Sequence, residues 1–158
     1  MKILRESLIA PERDYLLDNM DICNDPVIRA LIMERKLADL IEGEFVGAAG
    51  YDIVHPVLGR IEVKCTYSWH VENLTIAFGG IWKKKDKCDY FLFYSPLMDD
   101  PLVLIKHDDV FKPGVLYHNP KTGYRAFRVR VAPITRNVEP SCSTTARNLW
   151  NENTVDLL

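Results

Sequence analysis

The sequence predicts one α/β domain in which a mixed central β-sheet is flanked by α-helices, and three features predict it. A helix-forming segment with apolar residues at helical spacing begins at Asp25 and ends near Gly43. A hairpin-like segment follows at 51–66 and is rich in β-branched residues. Two nearly continuous apolar runs, 89–95 and 102–106, are typical of central strands that are covered on both faces.

Length and composition favour a single soluble domain. The chain has 158 residues, 47% of them hydrophobic and 27% charged, which is sufficient for one sizeable core. We expect one domain over 1–158, with its core at about 26–131 and a tail at 133–158 that carries a helix near 144–150. No apolar run is long enough to span a membrane and no signal peptide is visible, so we expect a cytoplasmic protein without a membrane partner. The four cysteines show no paired spacing, which favours reduced thiols.

The first predicted helix has Asp25 as its N-cap and Pro26 at its first position. Its apolar face is expected to contain Val27, Ala30, Leu31, Leu37, Ala38 and Ile41. Glu34 falls inside this apolar arc, where an unpaired carboxylate is costly. Two explanations remain open: Glu34 is a boundary residue that reaches solvent or pairs with Arg29 or Arg35, or it belongs to a functional site.

The hairpin is predicted from strands at 51–56 and 60–66, joined by the loop 57–59 with glycine in the left-handed conformation. In that pairing Asp52 lies opposite Lys64. Because side chains alternate between the two faces of a strand, Asp52, Glu62 and Lys64 share one face and the apolar residues occupy the other. We therefore expect two carboxylates and one ammonium group to share a small site.

The chemistry of that site follows from its charges. Neighbouring carboxylates raise each other's pKa unless a cation lies between them, and hard oxygen ligands suit Mg²⁺ or Mn²⁺. A metal held by two protein carboxylates keeps positions for water and phosphate, and Lys64 would add a fixed positive charge beside them. The arrangement indicates phosphodiester hydrolysis.

Asp52, Glu62 and Lys64 form the pattern D-x9-E-x-K, which in its strand-turn-strand setting resembles the PD-(D/E)XK nuclease superfamily. That superfamily includes type II restriction endonucleases, phage resolvases and some homing endonucleases. The resemblance implies that Asp52, Glu62 and the backbone carbonyl of Val63 bind Mg²⁺, with Mn²⁺ able to substitute. It also implies that Lys64 is the catalytic lysine. One departure is that Tyr51 stands where the family has a proline.

The likeness covers about residues 26–106 and implies a restriction-endonuclease-like fold. In such nucleases the helix before the hairpin often lends an acid to the metal site. Glu34 is the candidate for that catalytic and metal-binding role in this chain, and Glu42 is the reserve.

Charge is segregated along the chain and suggests where DNA would bind. From Glu12 to Glu44 nine acids face four bases, whereas Lys112 to Arg136 contains six bases and no acid. The side chains considered as DNA contacts are Ser68, His70 and Asn73 after the hairpin, the cluster Lys83, Lys84 and Lys85, and Arg125, Arg128 and Arg130 on the strand predicted at 124–131. Each set is equally compatible with an ordinary solvated surface.

The sequence as a whole favours a Mg²⁺-dependent DNA endonuclease of the type II restriction class, because the chain is short and has no helicase or methylase segment. Its expected setting is a bacterial or phage-infected cell. A phage-type resolvase or homing endonuclease fits the same features. Cutting both strands with one site per chain favours a homodimer. The alternative from another class is a nucleic-acid-binding module in which the acids are structural and nothing is cut.

Overall fold

The computed structural model describes residues 26–70, 73–82, 87–132 and 141–155. The helices in these ranges are α1 (Pro26–Leu40), α2 (His107–Val110) and α3 (Cys142–Glu152). The strands are β1 (Glu44–Ala48), β2 (Tyr51–His55), β3 (Gly59–Cys65), β4 (Trp69–His70), β5 (Thr75–Gly79), β6 (Tyr90–Tyr94), β7 (Leu102–Lys106), β8 (Tyr117–His118) and β9 (Arg125–Arg130). The elements predicted at 89–95, 102–106, 124–131 and 144–150 are therefore confirmed, each within two residues at either end.

The strands form two sheets. The first has five strands in the order β1-β2-β3-β6-β7, and all its neighbours are antiparallel except β3 and β6, which are parallel. The second has four strands in the order β4-β5-β9-β8 and is antiparallel throughout. The expectation of a mixed central sheet is confirmed. The second sheet was not predicted, because it depends on pairing between β5 and β9, which are far apart in sequence.

The five-stranded sheet has an apolar core on each face. On one side α1 packs on strand residues such as Ile53 and Ile61. On the other side Phe91 and Phe93 pack against the second sheet and against Trp150 of α3. A helix therefore covers one face as expected, whereas the other face is covered mainly by a second sheet.

Helix α1 begins at Pro26 as predicted, and the proposed N-cap Asp25 lies outside the described residues. Its core-facing side consists of Met33, Leu37, Ala38 and Ile41, which are all fully buried. The prediction was wrong for Leu31, whose side chain is 44% exposed. The buried stripe lies on one side of the predicted arc, and Glu34 lies at its margin, half-buried.

The hairpin forms, but its predicted pairing was wrong by two residues. Ile53 pairs with Ile61 and His55 with Gly59, a register that places Asp52 beside Glu62 and not opposite Lys64. The turn closes one residue earlier than expected because Nδ1 of His55 accepts hydrogen bonds from two backbone N–H groups of the loop, each at 3.1 Å. A shift of two residues keeps every side chain on its face, so the predicted segregation of polar and apolar residues holds.

Two further expectations concern membrane-spanning helices and the state of the cysteines. No helix in the described part of the chain is long and apolar enough to cross a membrane. Cys65, Cys88 and Cys142 are free thiols, as the spacing of the cysteines predicted.

Candidate active site

Asp52 is fixed to the neighbouring strand by its own side chain. Its Oδ2 accepts a hydrogen bond of 2.8 Å from the backbone N–H of Val63 on β3. The carboxylate thus takes the place of a strand carbonyl as the acceptor for that N–H group. This contact holds one end of the acid firmly against the middle of β3.

Glu62 and Lys64 form an ion pair on the same face of β3. Nζ of Lys64 donates to Oε1 of Glu62 at 2.8 Å, and the two side chains are only 20% and 12% exposed, respectively. Their neighbours across the parallel ladder are Phe91 and Phe93, which are completely buried. A charged pair set against such apolar rings is poorly screened by water, so changes in either charge have large effects.

Glu34 of helix α1 lines the same pocket as this pair. Burial raises the pKa of Glu34, and the negative charge of Glu62 raises it further while Lys64 lowers it. Arg35, one of the pairing partners considered for it, instead lies over the ring of Phe45 at 5.1 Å. The electrostatic surroundings of Glu34 are therefore those of the Glu62–Lys64 pair.

The pKa of Asp52 is strongly perturbed. Burial raises the pKa of Asp52 to about 6, and the charge of Glu34 raises it as well, against the opposing effects of the Val63 N–H group, Lys64 and a hydrogen bond with Glu62. At neutral pH three carboxyl groups thus share one positive charge. Such an arrangement is typical of a site that receives a cation or performs proton transfer.

A pocket of about 510 Å³ opens at these residues. Its lining is Ala30, Glu34, Glu62, Val63, Lys64, Cys65, Thr66, Tyr67 and Ser68. The sequence predicted the acids and the lysine, and it placed Thr66 and Ser68 in a polar series able to contact DNA, but it did not single out Cys65 or Tyr67 as part of the site. Their position directly after Lys64 was the only available signal.

The donor set was tested for its fit to a divalent metal. Among the described residues no three or more His, Cys, Asp or Glu side chains converge as a ready-made metal cage. Mg²⁺ commonly takes only one or two protein carboxylates and keeps its remaining positions for water and phosphate. Asp52 and Glu62, whose carboxyl groups are adjacent, together with the Val63 carbonyl implied by the resemblance, fit that requirement.

The predicted DNA contacts are dispersed. Ser68 is exposed at the rim of the pocket, His70 is exposed on β4, and the side chain of Asn73 accepts a hydrogen bond of 2.7 Å from Thr75. Lys83, Lys84 and Lys85 lie outside the described residues.

The arginines of β9 do not form one group. Arg128 and Arg130 alternate with the buried residue Val129 and share one face of the second sheet, whereas Arg125 is offset by an odd number of positions and takes the opposite face.

Comparisons with protein-family models, with curated proteins and with solved structures gave no match for this chain.

Proposed function

We propose that this chain is a Mg²⁺-dependent DNA endonuclease that hydrolyses phosphodiester bonds at the pocket lined by Glu34, Glu62 and Lys64, with Asp52 beside Glu62 on the neighbouring strand. The observation that supports it most is the electrostatic coupling of three carboxyl groups, two half-buried (Glu34 and Asp52) and one buried (Glu62), around a single lysine. A divalent cation among them would relieve their repulsion. The same set is expensive to keep in a structural role, because apolar residues would fill the space at lower cost.

Each side chain has a definable role in that reaction. Asp52, held by the Val63 N–H group, presents a carboxylate at a fixed position, and Glu62 presents a second one beside it. Lys64 is held in the pocket by Glu62 and supplies positive charge to the phosphate group as negative charge develops on it. When bound, the metal supplies an activated water and offsets charge on the phosphate.

Glu34 contributes from outside the strands. Its carboxyl group lies within the field of both Glu62 and Lys64, so it either adds a metal ligand or holds a water beside one. The Val63 carbonyl is the remaining proposed ligand. Mn²⁺ is expected to replace Mg²⁺, because both prefer oxygen ligands.

The order of elements supports a restriction-endonuclease-like core. Helix α1 is followed by the antiparallel strands β1, β2 and β3 and, after β4 and β5 of the second sheet, by β6, which runs parallel to β3. Within residues 26–106 a helix thus packs on a mixed sheet. Within this class we propose type II restriction-like double-strand cleavage by a homodimer, for the symmetry reason that one pocket per chain serves one strand.

Incubation of the protein with plasmid DNA in Mg²⁺, and in parallel in EDTA, tests this proposal. Discrete fragments that appear only with Mg²⁺ support a restriction-like enzyme, and cleavage restricted to branched DNA supports a resolvase. DNA that is retarded on a gel but remains intact under all metal conditions would show that the protein is a binding module and not a nuclease.

A further inference from the structure

The four-stranded sheet has one face in the core and one face directed away from it. Ile76, Phe78, Phe127 and Val129 point into the core. The residues that alternate with them, together with Tyr117 of β8, form what we call the outer face. Its members used below are Ala77 and Gly79 on β5, Arg128 and Arg130 on β9, Tyr117, and Tyr124, which covers Gly79.

Arg128 and Arg130 lie next to each other on the outer face, and within the described ranges neither has an acidic partner. None of the ion pairs seen in the described residues involves either one. The Nε–H group of each is buried and lacks a hydrogen-bond partner. Unsatisfied donors of this kind call for an explanation, and a missing anionic ligand is one.

Aromatic rings flank these two cations. The guanidinium carbon of Arg128 lies 3.8 Å from the centre of the Tyr117 ring, so the planar group is held against the ring. The Tyr124 ring lies above Gly79, where a Cβ atom would come within 3.1 Å of its carbon atoms. Tyr124 is nevertheless 37% exposed. The outer face thus combines two cations, two rings and the small residues of β5.

We propose that the outer face binds an unpaired DNA strand. Bases stack on Tyr124 and on the guanidinium plane of Arg128, and phosphates lie against Arg130. Stacking on rings and guanidinium planes beside a basic surface is how proteins hold single strands, whereas a duplex hides the faces of its bases. The segment from Lys112 to Arg136, which contains most of this face, has six bases and no acid, so its charge complements the phosphates. The preference for an unpaired strand rests on the face itself, and the choice of DNA rests on the proposed function.

The test is fluorescence anisotropy with a labelled oligothymidylate, on the order of 12 nucleotides so that it exceeds a minimal single-strand site. Binding is measured in EDTA, where no cleavage occurs, and is compared with a duplex of equal length. The wild type is expected to bind the single strand more tightly than the duplex. Arg128→Gln and Arg130→Gln are each expected to weaken that binding about tenfold. Each is also expected to lower the log–log salt slope by about 0.7.

Arg125→Gln is the matched control, because it removes the same charge from the same strand on the opposite face. It is expected to leave the affinity for the oligonucleotide unchanged. Arg128→Lys keeps the charge but loses the planar group, so it should not restore binding. Melting temperatures of all variants show whether they remain folded.

Equal losses of oligonucleotide affinity in all three Gln variants would show that general charge attraction, and not the outer face, accounts for the binding. Tighter binding of the duplex or of oligouridylate would show that the ligand is not an unpaired DNA strand. Failure of this proposal is distinguishable from failure of the proposed function. A protein that binds the oligonucleotide but never cuts DNA in Mg²⁺ keeps the outer face and loses the nuclease. If instead the wild type cuts DNA in Mg²⁺ and Arg128→Gln binds the oligonucleotide normally, the nuclease proposal holds and the outer-face proposal fails.

Discussion

Asp52→Asn is the substitution whose effect on stability is most clearly set by the structure. The amide keeps the size of the side chain, and its oxygen can accept the hydrogen bond of 2.8 Å that Val63 donates to the carboxylate. It removes only the negative charge. The substitution therefore isolates the cost of ionising Asp52 in the metal-free protein.

The magnitude follows from the pKa. The pKa of Asp52 is raised from 3.8 to about 6, chiefly by burial. At about 1.4 kcal/mol for each unit, ionisation of Asp52 costs the folded state about 3 kcal/mol relative to the unfolded chain. Because the side chain is only half-buried, solvent screening reduces this to roughly 1–2 kcal/mol.

The sign of the pH dependence is fixed by the direction of that shift. Well below pH 3.8 Asp52 is protonated in both states, so the charge costs nothing. Between pH 4 and 6 the unfolded chain releases the proton while the folded protein retains it, and the stability of the wild type falls as pH rises. Above pH 6 the full cost is present. Asp52→Asn should therefore be more stable than the wild type at pH 8, and this advantage should disappear near pH 4.

Urea unfolding in EDTA at pH 4 and pH 8 measures this difference. Asp39→Asn, at an exposed position on α1, is the matched control and should show little change between the two pH values. Addition of Mg²⁺ at pH 8 should stabilise the wild type more than Asp52→Asn, because the proposed metal site includes this carboxylate. A variant that is less stable than the wild type at pH 8 would show that Asp52 is a structural acid and that our reading of its surroundings is wrong.

Three further predictions concern the same hairpin and helix. Glu34→Gln should lower the cleavage rate about 10–100-fold at similar DNA affinity. Glu42→Gln should change the rate little, because the Glu42 side chain lines a different pocket. Equal and mild effects of the two changes would show that Glu34 has only a structural role. Lys64→Met should abolish cleavage and should destabilise the metal-free protein by about 3 kcal/mol, because it leaves Glu62 without its cation; urea unfolding in EDTA equal to wild type would contradict this. Gly59→Ala should lower the free energy of unfolding by more than about 1 kcal/mol, because its φ of +81° and a neighbouring carboxylate leave no room for Cβ; an unchanged urea midpoint would contradict the turn geometry.

The parts of the candidate site that depend only on the geometry of a single strand were predictable from the sequence. Alternation along a strand places Glu62 and Lys64 on one face whatever the turn does, and the two-residue error in register left that unchanged. Helical periodicity placed Glu34 within the apolar arc of the helix, and its approach to the hairpin was implied by the family resemblance. The pairing error arose because His55 closes the turn through its ring nitrogen, a contact that no turn rule contains.

Other features could not be predicted because they depend on contacts between distant segments. The pairing of β5 with β9 joins strands about 50 residues apart, and it alone decides that Arg128 and Arg130 share an outward face with Ala77. The exposure of Leu31 depends on which part of the apolar arc of α1 packs on the sheet, and helical periodicity does not specify that. Long-range pairing of this kind leaves little trace in local composition.

The measurement that tests the central claim most directly is the initial rate of Mg²⁺-dependent DNA cleavage by Glu62→Gln compared with the wild type. We predict a loss of at least about 100-fold, since even the outer partners of metal ligands contribute about 10–100-fold. Glu44→Gln, an exposed change of the same type on β1, should cut at the wild-type rate. Cleavage by Glu62→Gln at a rate close to that of the wild type would contradict the assignment of this pocket as the active site.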